Sequence, residues 1–348
     1  MSELRQNLAS KEWVVIAPAR REKPNAFETE VVRTLLPTEE YSSDCPFCPG
    51  NEERFPVEEK MRLAGSDGRW SVRVIENKYK ILDSFDSCPK VAEPFEEEGI
   101  YKKLKGCGSH ELIIDTLQHN KTIMELSIQE IKKILQVARQ RFVELRENPN
   151  NLITIIFKNY GAMSGQTQPH SHTQIVGSRV VPYFIRTLLY EAEKHFDSSG
   201  TCVFCDMLRF EMNERKRVIY QNDSYCAFVP FAAGTEHQTW ILPKFHQASF
   251  DSVSEPQLYS LAEILKNLFC GFKIALENPD FNFVIRTSPY PLTQVPYYHW
   301  HIQLLPRTKI IGGFEYGTRI QVNTILPEES AKLLRDCVQC KEVKEAIR

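Results

Sequence analysis

The chain has no long apolar run, no apolar core near its start and almost no net charge. No segment approaches the roughly 20 apolar residues of a membrane span, so a membrane is not an expected partner. The opening stretch MSELRQNLASKEW lacks the apolar core of a secretion signal, which points to a cytoplasmic protein. Lys and Arg total 43 against 45 Asp and Glu, a formal charge of −2. That balance draws in no polyanion, so duplex nucleic acid is not an expected partner either. With 42% hydrophobic and 25% charged residues, the composition is that of a folded globular chain rather than a disordered or collagen-like one. Its 348 residues are enough for about two domains.

Cysteine, by contrast, is abundant. There are ten, and a disulfide framework is not the expected use of them in a cytoplasmic chain. Six fall in C-x2-C pairs: Cys45/Cys48, Cys202/Cys205 and Cys337/Cys340. Two intervening residues let both thiolates point at one ion, and zinc favours such soft donors. A pair alone supplies half of a tetrahedral site, and the question is whether histidines supply the rest.

The sequence is written twice. His110, His119 and Ser127 recur as His237, His246 and Ser254, each 127 residues later. Ile131, Ile134, Ala138 and Phe142 recur at the same offset as Leu258, Leu261, Leu265 and Phe269. The pair His170-x-His172-x-Gln174 recurs as His299-x-His301-x-Gln303, displaced by 129. Ser127 with Glu130, and Ser254 with Gln257, have capping-box spacing, and apolar residues at three- and four-residue steps follow each. Short β-branched or aromatic segments near 110–115, 152–158, 172–177, 237–242, 282–287 and 301–305 read as strands. Each half is therefore strands, a packed helix, then strands, an α+β pattern. The expected division is residues 1–190 and 191–348, joined through the helix-like segment YFIRTLLYEAEKHF.

On a strand, His170, His172 and Gln174 face one way and Ser171 and Thr173 the other. The preceding Asn159-Tyr-Gly-Ala-Met-Ser-Gly-Gln-Thr-Gln-Pro169 loop, with two glycines, is expected to offer free backbone amides to a phosphate. A neutral imidazole beside such a cradle can take a phosphoryl or nucleotidyl group covalently, and Gln174 can donate to a non-bridging oxygen. One of His170 and His172 completes a Cys2His2 zinc site with Cys45, Cys48 and His119, which leaves the other for substrate. The second half offers Cys202, Cys205, His246 and one of His299 and His301, but its lead-in Ser288-Pro-Tyr-Pro-Leu-Thr-Gln-Val-Pro296 is stiff with proline. It reads as mainly a structural metal site. His110 and His237 read as polar residues opening core strands, His195 as solvated, and Cys88, Cys107, Cys226 and Cys270 as small buried residues. Cys337 and Cys340 read as a helix-borne coincidence.

The motifs WVVIAPARREKP, CPFCPGNEE, IIFKNYGAMSGQTQPHSHTQI, YYHWHIQLLPR and GGFEYGT together resemble the galactose-1-phosphate uridylyltransferase family, the transferase branch of the histidine-triad superfamily. The resemblance spans nearly the whole chain. It implies a duplicated histidine-triad (HIT-like) α+β domain with antiparallel sheets and packed helices, assembled as a homodimer. It implies a ping-pong exchange of a nucleoside monophosphate, UMP in the first instance, between a nucleotide sugar and hexose 1-phosphate. His172 then resembles the nucleophile and Gln174 the amide on the transferred phosphoryl group. His170 joins Cys45, Cys48 and His119 on zinc, and His299 joins Cys202, Cys205 and His246 on a second ion. Asn77, Asn159, Gly165, Gln166 and Thr167 match nucleotide contacts, and Arg20 and Lys23 match two basic residues, the second usually Arg. Lys309, Phe314, Glu315 and Gln321 match the segment that reads the sugar. Ser171 departs from the proline that many members carry between the histidines, and resembles the plant ADP-glucose phosphorylase branch. Adenylyl transfer is accordingly the rival enzymatic reading, and a zinc-stapled nucleotide-binding protein without turnover is the rival outside catalysis.

Overall fold

The computed structural model describes residues 1–22, 37–65, 68–87, 96–341 and 343. Its centre is an 11-stranded sheet that runs through both repeats. Across it the strands are Val218–Gln221, Tyr225–Phe228, Thr239–Pro243, His301–Pro306, Phe281–Arg286, Ile153–Tyr160, His172–Ser178, Cys107–Ile114, Trp70–Glu76 and Glu59–Ala64. Every neighbouring pair on this path is antiparallel, and Asp83–Ser84 adds a parallel pair beside Cys107–Ile114. The halves meet where Ile153–Tyr160 pairs with Phe281–Arg286, one strand from each repeat.

Register places the chemistry. Gln174 stands beside Phe157, Phe157 beside Val284, and Val284 beside Gln303. Aligned cross-strand residues share a face, so the two H-x-H-x-Q motifs lie on one side of the sheet, with Gln174 and Gln303 roughly 14 Å apart. The opposite side carries Ile156, Ile175, Ile285 and Ile302, buried against the helices Ile128–Arg146 and Glu255–Ala275. Those helices begin where expected. Both capping boxes form, with the Ser127 and Ser254 side chains each accepting from the third helical amide. Ile131, Ile134, Ala138 and Phe142 are buried, as are Leu258, Leu261, Leu265 and Phe269.

The linking segment forms a helix, Tyr183–Ser199, ended by Gly200 at φ 73, a left-handed conformation that glycine adopts without a Cβ penalty. A small sheet of Glu3–Gln6, Trp13–Ile16 and Gln321–Asn323 ties the first strands to the C-terminal region. Among the described residues, no helix is long and apolar enough to cross a membrane.

Three sequence expectations need correction. His237 does not open a strand: it sits ahead of Thr239–Pro243 at φ 57, buried, with Nδ1 2.9 Å from Ser330 Oγ. His195 is not simply solvated, because its Nε2 lies 2.9 Å from Asp206 Oδ2. Cys107 is buried, as expected, but disulfide-bonded rather than free. Cys88 and Lys23 lie outside the described residues.

Candidate active site and two metal-ligand clusters

The first C-x2-C pair lies on a tight turn, with the Cys48 amide donating to the Cys45 carbonyl at 3.3 Å, so both sulfurs face one point. His170, just ahead of the strand His172–Ser178, and His119 reach the same point. Cys48 Sγ is 3.5 Å from His119 Nδ1 and 3.6 Å from His170 Nδ1, and Cys45 Sγ is 3.6 Å from His170 Nδ1. The two imidazole Nδ1 atoms are 3.4 Å apart. Bonds of about 2.3 Å to sulfur and about 2.0–2.1 Å to nitrogen in a tetrahedron put donor atoms roughly 3.3–3.8 Å from each other. The four side chains therefore fit one metal ion. The far nitrogen of His170 donates to the Thr116 carbonyl at 2.8 Å, which leaves Nδ1 with its lone pair toward the ion. Burial pushes the Cys45 thiol up to about 12, so a thiolate there calls for a cation beside it.

The second half repeats the arrangement. Cys205 Sγ is 3.4 Å from both His246 Nδ1 and His299 Nδ1, and the donor atoms of Cys202, Cys205, His246 and His299 lie within 4.8 Å of one another. This cluster is wetter: Cys205 is half-buried and His246 exposed, whereas all four residues of the first cluster are buried.

His172 stands next to the first cluster. Its Nδ1–H donates to the His170 carbonyl at 2.9 Å, which leaves the Nε2 lone pair without a hydrogen-bond partner among the described residues. Phe47, from the C-x2-C turn, meets the ring edge-on at 5.4 Å. Burial, reinforced by the Lys158 ammonium, pushes His172 down to about 4, so the ring is neutral at physiological pH. Gln174, two residues on, accepts a 2.9 Å hydrogen bond from His110 at its Oε1.

Behind the strand His172–Ser178 lies a buried ion pair that the sequence motifs do not announce. Lys158 Nζ donates to Asp115 Oδ2 at 2.6 Å, to Ser171 Oγ at 2.9 Å and to the His172 carbonyl at 2.8 Å. The hydroxyls of Ser171 and Thr173 both donate to Asp115 at 2.9 Å. Alternation carried the signal: in ITIIFKN the lysine falls on the same core-facing register as Ile156. This network fixes the backbone of residues 171–173 and so the place of the His172 ring.

In the second copy of the motif the histidine is flanked by aromatic rings and capped. His301 is buried between Phe204, at 5.2 Å, and Trp240, at 4.8 Å. Its Nδ1 reaches the His299 carbonyl at 3.2 Å and its Nε2 is capped by Gln303 Nε2 at 3.1 Å.

The loop after Asn159 departs from an open amide cradle. Gly161 N–H donates to Gln166 Oε1 at 2.6 Å and Met163 N–H to Asp280 Oδ2 at 2.7 Å. The amides of Ser164, Gly165 and Gln166 bond to carbonyls within the loop. The loop closes as a tight turn around a carboxylate, so these amides are engaged. Gly161 and Gly165 hold φ of 85 and 86, and a Cβ at Gly161 would lie 1.9 Å from Asp280 Oδ1. Asn159 is held through its Oδ1 by Asn282 Nδ2 at 2.8 Å, which leaves its own amide toward the loop mouth.

Residues 1–182 match the family described as galactose-1-phosphate uridyl transferase, N-terminal domain, and residues 211–309 match the HIT domain. An ADP-glucose phosphorylase from Arabidopsis thaliana is 31% identical over 96% of this chain and 92% of its own. A galactose-1-phosphate uridylyltransferase from Thermotoga maritima is 25% identical over 97% and 98%. The chain belongs to the galactose-1-phosphate uridylyltransferase family. Its members' activity makes it a transferase, of the family's nucleotidyl-transferring class. The duplicated α+β architecture agrees with solved structures. The crystal structure of an ADP-glucose phosphorylase from Arabidopsis thaliana with bound ADP-glucose superposes with TM-score 0.81 at 28% identity, covering 97% of this chain and 98% of that one. A uridylyltransferase structure superposes with TM-score 0.73 at 25% identity, covering 97% and 99%.

Within this family frame the expected substrate residues fall into two groups. His172, Gln174, Asn77, Asn159 and the 165–167 loop are on the first repeat, and Asn77 Nδ2 lies 3.3 Å from His110 Nδ1. Arg20, exposed on the turn Pro18–Glu22, belongs with the small sheet, because Arg20 N–H bonds to Ala17, whose own N–H bonds to Asn323. Lys309 bonds to the Val322 carbonyl and lies 3.8 Å from Glu315. Gln321 lines a cavity of about 210 Å3 with His301 and Gln303, and Phe314 is exposed on the short helix Gly313–Thr318. Among the described residues, no hydrogen bond or ion pair joins this second group to His172.

Proposed function

We propose that the chain transfers a nucleoside monophosphate from a nucleotide sugar to a phosphate acceptor through a covalent nucleotidyl-His172 intermediate. The observation that carries this is the His172 ring: neutral, anchored through Nδ1–H, with Nε2 unpartnered and an amide two residues away. In the first half-reaction the Nε2 lone pair attacks the α-phosphorus. The P–N bond forms as the bond to the bridging oxygen breaks, and hexose 1-phosphate leaves with that electron pair. The Nδ1–H bond to the His170 carbonyl stabilises the positive charge that the ring acquires. In the second half-reaction an acceptor phosphate oxygen attacks phosphorus and the P–N electrons return to Nε2. Gln174 donates to a non-bridging oxygen in both directions, and Asn159 and Thr167 contact the phosphates by side chain.

Both Cys2His2 clusters hold zinc in this reading, supported by two thiolates and two imidazoles in each. The ion supplies folding free energy and a fixed place for His170, and with it the neighbouring nucleophile. The molecule is a cytoplasmic homodimer divided at residues 1–190 and 191–348. The split between His172 and the group around Arg20, Lys309, Phe314, Glu315 and Gln321 supports a dimer in which one copy's second group closes over the other's His172.

Two readings of base and acceptor each have support. Uridylyl exchange between UDP-glucose and galactose 1-phosphate is favoured by the family match and by the relative from Thermotoga maritima. Adenylyl transfer from ADP-glucose to inorganic phosphate is favoured by the 31% identical relative, by the 0.81 superposition and by Ser171 in place of proline. Hexose 1-phosphate release from UDP-glucose and ADP-glucose, measured side by side with galactose 1-phosphate or phosphate as acceptor, separates them. Release from neither, with nucleotide sugar still bound, would favour a non-catalytic nucleotide-binding protein.

A further inference from the structure

His110 has no place in the chemistry above, yet its contacts determine which way Gln174 points. The Ile81 backbone N–H can only donate, and it is aimed at His110 Nδ1 at 3.3 Å. The Asn77 side chain is oriented by the Tyr79 N–H on its Oδ1 at 2.9 Å, and its amide nitrogen faces the His110 ring nearly equidistant from the two ring nitrogens, 3.3 Å from Nδ1 and 3.1 Å from Nε2, so the Ile81 amide and the Gln174 carbonyl oxygen decide the tautomer. Burial pushes His110 below the ordinary imidazole range, so the ring is neutral and has a single proton on nitrogen. With Nδ1 accepting, that proton is on Nε2. The Nε2–H then donates to Gln174 Oε1 at 2.9 Å, and the amide NH2 of Gln174 turns away from His110.

The second repeat shows what happens without this contact. His237, the counterpart of His110, takes a left-handed backbone conformation and bonds to Ser330 instead. Gln303, the counterpart of Gln174, then turns its amide nitrogen onto Nε2 of His301, the counterpart of His172. A glutamine two residues along a strand from a histidine can therefore cap that histidine's lone pair. In the first repeat His110 is engaged and His172 Nε2 is uncapped.

We propose that His110 is a positioning residue: it holds Gln174 off the nucleophile and aims its NH2 at the phosphoryl oxygens. The inference rests on the nucleotidyl-His172 reading. Without His110, Gln174 becomes an inhibitor of the ring it should assist.

The test is a four-member cycle, the parent, His110→Phe, Gln174→Met and His110→Phe/Gln174→Met, with the zinc-loaded full chain and radiolabelled nucleotide sugar. The single-turnover rate of protein labelling is read for each. Removing an aimed donor costs on the order of 100-fold in such sites, so each single variant is expected to slow labelling by about 10- to 100-fold. Their effects must not multiply. The double variant should be no slower than Gln174→Met, and removing the amide from the His110→Phe protein should leave its rate unchanged or raise it. The loss should fall on kcat rather than KM. A His110→Phe protein that labels as fast as the parent, or two effects that multiply, would overturn the proposal while leaving the nucleotidyl-His172 reading standing. A parent that never labels overturns both. Should His110→Phe fail to fold, long-range proton–nitrogen NMR of the unaltered protein decides. The expected signature is the Nε2–H tautomer at His110 and Nδ1–H at His172, and an Nδ1–H tautomer at His110 overturns the assignment.

Discussion

Replacing Lys158 by methionine removes the ammonium set between Asp115, Ser171 and the His172 carbonyl. The pair is fully internal, with side-chain exposures of 1% for Lys158 and 0% for Asp115. Taking one partner from a buried ion pair costs about 3–5 kcal/mol, because the other charge is left in a medium that cannot solvate it. Two hydroxyls, from Ser171 and Thr173, still donate to the carboxylate, so the lower end, about 3 kcal/mol, is expected. For a chain of this length the melting entropy is roughly 0.7 kcal/mol/K, so Tm should fall by about 4 °C. Adding Asp115→Asn removes the stranded charge and should recover about 2 kcal/mol. Thermal melts of parent, single and double variants measure both quantities. Metal content is measured alongside, because Asp115 adjoins Thr116, whose carbonyl holds His170. The single variant should also slow nucleotidylation, since the His172 carbonyl loses its anchor. A single variant that melts within a degree of the parent, or a double variant less stable than the single, would refute the buried-clamp argument.

Gly161→Ala should destabilise by about 1–3 kcal/mol, from backbone strain at φ 85 and displacement of Asp280. Gly165→Ala should cost only the backbone part, because its nearest neighbour atom would be 3.9 Å away, and equal melting temperatures for the two would contradict this. A graded chelator should strip the half-exposed Cys202/Cys205/His246/His299 cluster first and the buried first cluster only as the chain unfolds. Loss in the reverse order, followed by metal analysis and circular dichroism together, would argue against that. His237 is held below the ordinary imidazole range by burial, so below about pH 6.5 the unfolded chain takes up a proton that the folded chain refuses. Stability should therefore fall as pH drops from about 6.5, and less steeply in His237→Asn, as urea melts at several pH values will report.

The sequence displays its local and repeated features well. Capping boxes span four residues and metal ligands are scarce residue types, so Ser127, Ser254 and three members of each Cys2His2 set could be read without knowing the fold, while the choice of His170 over His172 and of His299 over His301 came only with the family resemblance. The sheet that joins the halves could not, because nothing in Ile153–Tyr160 or Phe281–Arg286 says which free edge the other will take. The glycine loop misled for a related reason. Its amides are engaged because Asp280, more than a hundred residues away in sequence, fills the turn. Lys158 was legible in principle, as a lysine on a core-facing position, but its partners Asp115 and Ser171 come from different strands and loops. The role of His110 was hidden because it depends on a tautomer, and the tautomer is set by a backbone amide, Ile81, that carries no sequence signature.

The measurement closest to the central claim is the site and chemistry of the labelled protein. After brief mixing with UDP-glucose or ADP-glucose, peptide mapping should find one nucleoside monophosphate on His172, acid-labile and base-stable as a phosphoramidate is, and none in His172→Gly. A label on another residue, or steady turnover by His172→Gly with no added imidazole, would contradict the account.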